Sequence, residues 1–261
     1  FTIDALRQIA DSGGRRVLTL ITAAYSSYSG CRQYRDDIAA QVSTLGVPLQ
    51  VDYVRSYFNT AGFVAANVAA VVAAFRQLAA AGAPTTELVF VTHSIPTLME
   101  AASGTARPAT YSAQHMEVAR LVSAGVSAVL GRELPWRLVY CSRSGPPHSP
   151  WLGPDVNEAI VELARAGRTA VLLAPIGFIC DHMEVIHDLD IEAAATAHKV
   201  GLGFVRASTV GTHPAFVSAL VQVVNERLGS VGVDVVGDLP AWDPACAAGC
   251  CPPPATSSRP V

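Results

Sequence analysis

The sequence predicts an α/β fold in which parallel sheets are flanked by helices. Short β-branched runs alternate with longer segments of helical periodicity along most of the 261 residues. Because strand-helix-strand units require right-handed crossovers, both sheets should be mostly parallel. Hydrophobic residues make up 51% of the chain and charged residues only 15%, so the chain can bury a sizeable core.

Six strands and six helices follow one another in this pattern. The predicted strands cover residues 16–22, 49–54, 88–92, 136–141, 170–175 and 203–206. The predicted helices cover residues 32–45, 61–81, 113–130, 156–166, 183–200 and 215–228. In such a sheet, ligands bind at the carboxyl ends of the strands. Polar residues at those ends are therefore the candidates for function.

Glycine, proline and threonine interrupt the pattern at residues 82–86, which predicts a domain boundary there. We expect residues 1–84 to form the remainder of a first domain that lacks its N-terminal part. Residues 85–230 would form a second domain. Residues 231–261 have no periodicity and form a cysteine-containing extension that ends in a proline-rich tail.

Composition excludes several classes of function. A net charge of −3 without a basic block argues against nucleic-acid binding. The longest apolar stretch, residues 61–75, is shorter than the roughly 20 residues of a membrane span, so no integral membrane segment is expected. No secretory signal is visible, which favours a cytoplasmic location. The sequence also lacks a phosphate-binding loop, a GxSxG turn and an HExxH motif.

Three polar groups lie at predicted strand ends. In the first, "THSIP", Pro96 forces an extended turn that presents His93 at the rim of the sheet. A histidine that only caps the next turn is the alternative. In the third, "CSRSGPP", glycine and proline make a rigid loop from which Arg143 can pair with a ligand carboxylate. A structural loop capped by Asp155 explains the same residues.

The second group, "CDHME", follows the strand at 170–175 and contains Asp181, His182 and Glu184. These side chains could cap a helix, and they are also suitable ligands for a divalent cation such as Fe²⁺. Asp188 and Glu192 follow at successive spacings of four, which makes one carboxylate stripe on an α-helix. A solvated acidic face is the alternative interpretation of this stripe.

Six cysteines are spread unevenly along the chain. Cys141 and Cys180 stand alone in the other motifs and are predicted to be buried small residues, as is typical of free cysteine. Cys31 also stands alone, whereas Cys246, Cys250 and Cys251 crowd the C-terminus. Clustered cysteines in an intracellular chain favour metal or redox chemistry over a disulfide scaffold.

The three motifs "THSIP", "CSRSGPPHSPWLGPDVNEAI" and "GFICDHMEVIHDLDIE" resemble ferrochelatases, which insert Fe²⁺ into a porphyrin. The resemblance runs from about residue 16 to residue 228 and implies two Rossmann-like chelatase-type domains. It implies that His93 and Glu184 are catalytic and face each other across the porphyrin plane, one accepting pyrrole protons and the other binding metal or accepting protons. His187 stands where many relatives have an aromatic residue.

Further roles follow from the same resemblance. Asp181 and His182 would orient the catalytic pair, while Asp188 and Glu192 would continue from Glu184 as a path for Fe²⁺. Arg143, or the region 32–35 that includes Tyr34, would bind the porphyrin.

Two further segments, "AYSSYSGCRQYRDDI" and "CAAGCC", resemble the actinobacterial branch of the family, which carries a [2Fe–2S] cluster. This implies Cys31, Cys246, Cys250 and Cys251 as ligands, with a zinc site as the alternative. It also implies coproporphyrin III as substrate rather than protoporphyrin IX. A chelatase for another tetrapyrrole and a non-enzymatic iron–sulfur or heme-binding sensor remain alternative functions.

Overall fold

The computed structural model describes residues 1–82, 85–104, 109–145, 148–247 and 249–253. It contains two parallel sheets flanked by helices, which confirms the predicted fold class. The smaller sheet pairs β1 (Arg16–Thr19) with β2 (Gln50–Tyr53). The larger sheet has the order β4-β3-β5-β6 and consists of β3 (Thr86–His93), β4 (Trp136–Cys141), β5 (Ala170–Ala174) and β6 (Gly203–Arg206).

Nine α-helical segments surround these sheets in the described part of the chain. They are α1 (Thr2–Asp11), α2 (Gln33–Leu45), α3 (Ala61–Ala80), α4 (Thr97–Ala102), α5 (Tyr111–Leu130), α6 (Val156–Arg165), α7 (Met183–Val185), α8 (Ala194–Lys199) and α9 (Pro214–Arg227). Two π-helical segments add to them: Tyr28–Arg32 precedes α2, and Ile186–Ala193 joins α7 to α8. The sequence analysis predicted neither α1 nor α4.

The larger sheet is covered on both faces. Helices α3, α5 and α9 pack together on one face, whereas α6, α8 and the π-helical segment Ile186–Ala193 cover the other. Side chains of β3 alternate between the two cores, with Leu88 and Phe90 in one and Val89 and Val91 in the other. This double burial explains why β3 is an almost continuous apolar run.

The apolar helix α3 belongs to this core. With 20 residues it has the length and composition that could cross a membrane, and no other helix in the described ranges does. The helix continues past the apolar stretch of residues 61–75, as predicted, and reaches this length only with Arg76 and the residues after it. However, α3 packs against β5, β6, α5 and α9, as a core helix does. The domain boundary at residue 84 stays a prediction, although α3 precedes it and packs on the larger sheet.

The C-terminal extension has no helix or strand among its described residues, yet it is firmly docked. The side chain of Asn59 donates to the carbonyls of Leu239 and Pro240, at 2.9 and 3.1 Å. Trp242 is buried and packs edge-on against Phe58, with 4.9 Å between ring centroids. Residues 254–261 of the predicted tail lie outside the described residues.

Candidate active site and cysteine cluster

His93 and Glu184 lie side by side at the carboxyl edge of the larger sheet. His93 is the last residue of β3, and Glu184 is the second residue of α7, which follows the neighbouring strand β5. Nε2 of His93 is 3.2 Å from Oε1 of Glu184. The two side chains are 33% and 45% exposed, so both can reach a ligand from solvent.

The orientation of the His93 ring follows from its other nitrogen. Nδ1 is hydrogen-bonded to the backbone carbonyl of Ser94. Because a carbonyl only accepts, Nδ1 carries a proton and Nε2 is the atom turned toward Glu184. A macrocycle between the two groups would need about 7 Å, two non-bonded contact distances. The 3.2 Å contact leaves no room for a ring between the two groups in this arrangement, so it favours a position of both on one side of the porphyrin, and their placement about a bound ring stays a prediction.

Asp181 and His182 hold the loop that carries Glu184. Nδ1 of His182 caps α7 by accepting from the backbone N–H of Val185 at 3.4 Å. Oδ1 of Asp181 accepts from Arg206 at 3.0 Å, and Arg206 also binds the carboxylate of Asp190 at 2.5 and 2.8 Å. The partner of Asp181 is thus an arginine at the end of β6 that the sequence analysis did not single out.

The acidic stripe belongs to a π-helical segment, in which each turn is wider than in an α-helix. Nδ1 of His187 lies 3.3 Å from Oδ1 of Asp188 and 3.9 Å from Oε1 of Glu192. One ligand atom from each of the three lies within 4.8 Å of the others. The hydroxyl of Ser142 donates to Asp188 and fixes one end of this group.

The two predicted porphyrin-binding residues have different surroundings. Arg143 follows β4 and donates to the backbone carbonyl of Ser149 at 3.1 Å. Tyr34 lies in the first turn of α2 and is 50% exposed. Their contacts with a porphyrin stay predictions.

The four cysteines that were predicted to be ligands lie close together. The thiol of Cys31 is hydrogen-bonded to those of Cys246 and Cys251, and these bonds together with burial raise the pKa of Cys31 well above its ordinary value. Sγ of Cys250 lies 3.8 Å from Sγ of Cys251. These four cysteines are not joined by disulfide bonds. Four adjacent thiols are a donor set for an iron–sulfur cluster or for zinc.

The remaining two cysteines differ from each other. Cys141 is buried, as predicted, and burial raises the pKa of its thiol to about 12. Cys180 is exposed, so the prediction that it is a buried small residue is wrong. It follows the buried turn after β5 and begins the exposed segment of residues 180–184.

Comparison with known proteins assigns the chain to a family. The family model for Ferrochelatase matches residues 1–228. The coproporphyrin III ferrochelatase of Streptomyces coelicolor is 44% identical over 274 residues, which cover 100% of this chain and 72% of that protein. The chain belongs to the ferrochelatase family. The coproporphyrin III ferrochelatase of Streptomyces griseus is also 44% identical, covering 97% of this chain and 71% of the relative.

A solved structure also resembles this ferrochelatase-family chain. SirB from Bacillus subtilis with Fe³⁺ matches with a TM-score of 0.55 at 13% sequence identity, over 86% of this chain and 76% of that one. At this identity the match shows the chelatase-like fold alone.

Arg206, Ser142 and His187 were not predicted from the sequence to be site residues. Arg206 and Ser142 donate to acidic residues of the site, and His187 lies close to two of them. Of the three, only His187 was placed by the resemblance, at a position where many relatives have an aromatic residue.

Proposed function

We propose that this chain inserts Fe²⁺ into a porphyrin, coproporphyrin III, to give coproheme. Membership of the ferrochelatase family supports the reaction, and the 44% identity to coproporphyrin III ferrochelatases supports the substrate. The observation that carries the proposal is the contact of His93 with Glu184 at the carboxyl edge of the larger sheet.

The reaction releases two pyrrole protons for each Fe²⁺ that enters the ring. With Nδ1 of His93 committed to Ser94, Nε2 accepts one proton and the carboxylate of Glu184 accepts the other. The same two atoms are suitable Fe²⁺ ligands, so the pair can bind the ion before it takes up protons. Glu184 is open to solvent and passes the protons on. With both groups on one face, the pyrrole nitrogens have to tilt toward that face.

Iron reaches the pair through the acidic π-helical segment. His187, Asp188 and Glu192 offer one nitrogen and two oxygen donors close together, which suits a hydrated cation of intermediate hardness. Asp181 and His182 keep the loop of Glu184 in place through Arg206 and the α7 cap. Arg143 and Tyr34 would bind the propionates and the ring.

The four convergent cysteines Cys31, Cys246, Cys250 and Cys251 would hold a [2Fe–2S] cluster. The four sulfur atoms lie close together, are not joined by disulfide bonds and are soft donors, which suits such a cluster. When bound, the cluster would supply a redox-active centre. The proposed iron insertion does not involve it.

Anaerobic iron insertion tests the function, with coproporphyrin III and protoporphyrin IX compared side by side. Glu184→Gln should lower kcat about 10²- to 10⁴-fold, because a positioned proton acceptor is lost, while porphyrin binding measured by fluorescence quenching persists. Glu158→Gln is the matched control, since Glu158 is an exposed glutamate in the first turn of α6.

Each outcome discriminates between the functions under consideration. A preference for protoporphyrin IX would contradict the substrate but keep the reaction. Porphyrin binding without any turnover would favour a sensor. An unchanged kcat in Glu184→Gln would overturn the assignment of the pair.

Cys31→Ser tests the cluster. We expect loss of acid-labile sulfide and of visible absorbance, because one of four ligands is removed. Cys141→Ser, which changes a buried cysteine away from the cluster, should keep both. Stoichiometric zinc in sulfide-free protein would show that the four thiols form a zinc site instead.

A further inference from the structure

Behind the His93–Glu184 pair lies a buried cluster of polar side chains that the proposed chemistry does not use. It consists of Tyr25, Thr92, Tyr111 and His115, and we refer to it as the Tyr25–His115 cluster. His115 is fully buried on α5, and its ring stacks on that of Tyr25 with 3.5 Å between centroids and 20° between planes. Buried polar groups that are fully paired make a rigid support, whereas unpaired ones are costly.

The tautomer of His115 fixes the direction of its two hydrogen bonds. Nδ1 of His115 lies 2.8 Å from the backbone carbonyl of Tyr111 and therefore donates to it. Burial lowers the pKa of His115 to about 3, so the ring is neutral and its Nε2 is an acceptor. The hydroxyl of Thr92, 2.8 Å away, donates to Nε2. The hydroxyl of Tyr111 lies 3.0 Å from that of Thr92 and donates to the carbonyl of His93 at 3.1 Å.

The cluster also reaches the segment that leads to Glu184. The hydroxyl of Tyr25 donates to the carbonyl of Ile176 at 2.9 Å, in the turn after β5. The next residue, Gly177, lies directly against Thr92, where a Cβ would come within 2.3 Å of the Thr92 hydroxyl. Thr92 is thus enclosed between His115 on one side and the turn toward Glu184 on the other.

We propose that the Tyr25–His115 cluster positions His93 relative to Glu184. His93 and Glu184 are partly exposed, so the distance between them depends on where the ends of β3 and of the turn after β5 lie. At one end of the cluster Tyr111 donates to the carbonyl of His93, and at the other end Tyr25 donates to the carbonyl of Ile176. The four side chains are positioning residues that do not touch the substrate. This inference rests on the proposed function, in which the pair acts as a unit.

Two shape-conserving variants test the cluster. Thr92→Val removes the hydroxyl, and His115→Phe keeps the stacked ring but removes both hydrogen bonds. We expect kcat of iron insertion to fall about ten- to a hundred-fold, as a shift of the reacting groups would cause, with KM for porphyrin changed less than about two-fold. The double variant should be no slower than the slower single variant, because both remove the same bond. His115→Gln, which restores an acceptor, should recover part of kcat.

Asn67→Leu is the matched control. Asn67 is buried on α3, and its side chain donates to the carbonyl of Phe63 four residues earlier, just as His115 donates to that of Tyr111. Losing this bond should lower the melting temperature without changing kcat. A fall of kcat in this variant as large as in Thr92→Val would mean that the loss reflects stability alone and would overturn the proposal.

Amide hydrogen exchange gives a readout that does not depend on activity. In Thr92→Val, exchange at residues 93–95 and 177–184 should accelerate at least about ten-fold, while β1 and β2 keep their rates. Unchanged exchange at both segments, or parental kcat in both folded variants, would overturn the positioning role. Absence of iron insertion by the parent protein would instead defeat the proposed function, and the exchange rates would still decide the structural link.

Discussion

The two sheets of this molecule are stabilised in different ways. Strands β3 and β5 of the larger sheet are buried almost throughout, between two layers of helices. Strands β1 and β2 of the smaller sheet begin with an exposed residue and contain no fully buried one. The larger sheet therefore depends on apolar burial and provides a firm base for His93 and Glu184. Beside the smaller sheet, polar contacts of neighbouring arginines reach α9 and the C-terminal extension.

Arg55 makes the most extensive of these contacts. Its buried guanidinium follows β2 and binds both carboxylate oxygens of Glu226 on α9, at 2.6 and 3.2 Å. It also donates to the carbonyl of Asp234 in the extension at 2.8 Å. Arg35 adds a second contact, since it lies over the ring of Tyr53 and donates to the carbonyl of Pro244 at 2.9 Å.

Removing Arg55 should have the largest effect on stability. In Arg55→Leu the buried carboxylate of Glu226 loses its cationic partner and keeps only the neutral donors of Gln222 and Asp234, which costs about 3 kcal/mol of the free energy of unfolding. Urea denaturation measures this cost. Arg16→Leu is the control, because Arg16 pairs with Asp52 on the surface and its loss should change little. Equal losses of the free energy of unfolding in both variants would mean that the buried contacts of Arg55 stabilise the protein no more than a surface ion pair does.

A matched pair of leucines measures the contrast between the sheets directly. Leu172→Ala in β5 leaves a cavity in a fully buried site and should cost about 3 kcal/mol. Leu18→Ala in β1 affects a half-buried side chain and should cost clearly less. Thermal or urea unfolding of the two variants gives both values. A larger loss for Leu18→Ala would reverse the comparison.

The smallest effect, over the range from pH 7 to pH 5, is caused by acid. Burial holds the pKa of His115 at about 3, below its ordinary value of 6.5, so the unfolded chain binds one more proton between these two values. The contribution of His115 to the free energy of unfolding is therefore fully present above pH 6.5. It is lost as the pH falls toward 3, by up to about 1.4 kcal/mol per pH unit. Urea denaturation at pH 7, 6 and 5 should show a shallower loss in His115→Phe than in the parent. Equal slopes would contradict the assigned burial.

Strong periodicity made most of the fold predictable, and its absence explains the misses. The six strands and the longer helices carry clear apolar patterns. Strand β3 extends beyond the predicted residues 88–92 at both ends, because it is buried on both faces. Helix α4 has six residues, too few for a helical period to be recognised. The acidic stripe was interpreted with α-helical spacing, whereas the π-helical backbone brings His187 to Asp188 and Glu192.

The candidate site likewise contains residues that could be predicted from the sequence and residues that could not. His93 and Glu184 could be placed because each stands at the end of a recognisable strand motif. The partners of the surrounding residues could not, since Arg206, His115 and Tyr25 are distant in sequence from Asp181, Thr92 and Ile176, which they bind. Local patterns do not encode such pairings. His182 shows the opposite case, in which a local cap accounts for its nitrogen.

The four convergent thiols have a consequence for biosynthesis. Cys31 emerges from the ribosome long before Cys246, Cys250 and Cys251, which follow it by more than 200 residues. During translation the larger sheet can fold while Cys31 still lacks its neighbours. The smaller sheet can reach its final packing only after the extension has left the exit tunnel. The thiol of Cys31 therefore gains its neighbours only in a late step of folding, after the extension has been made.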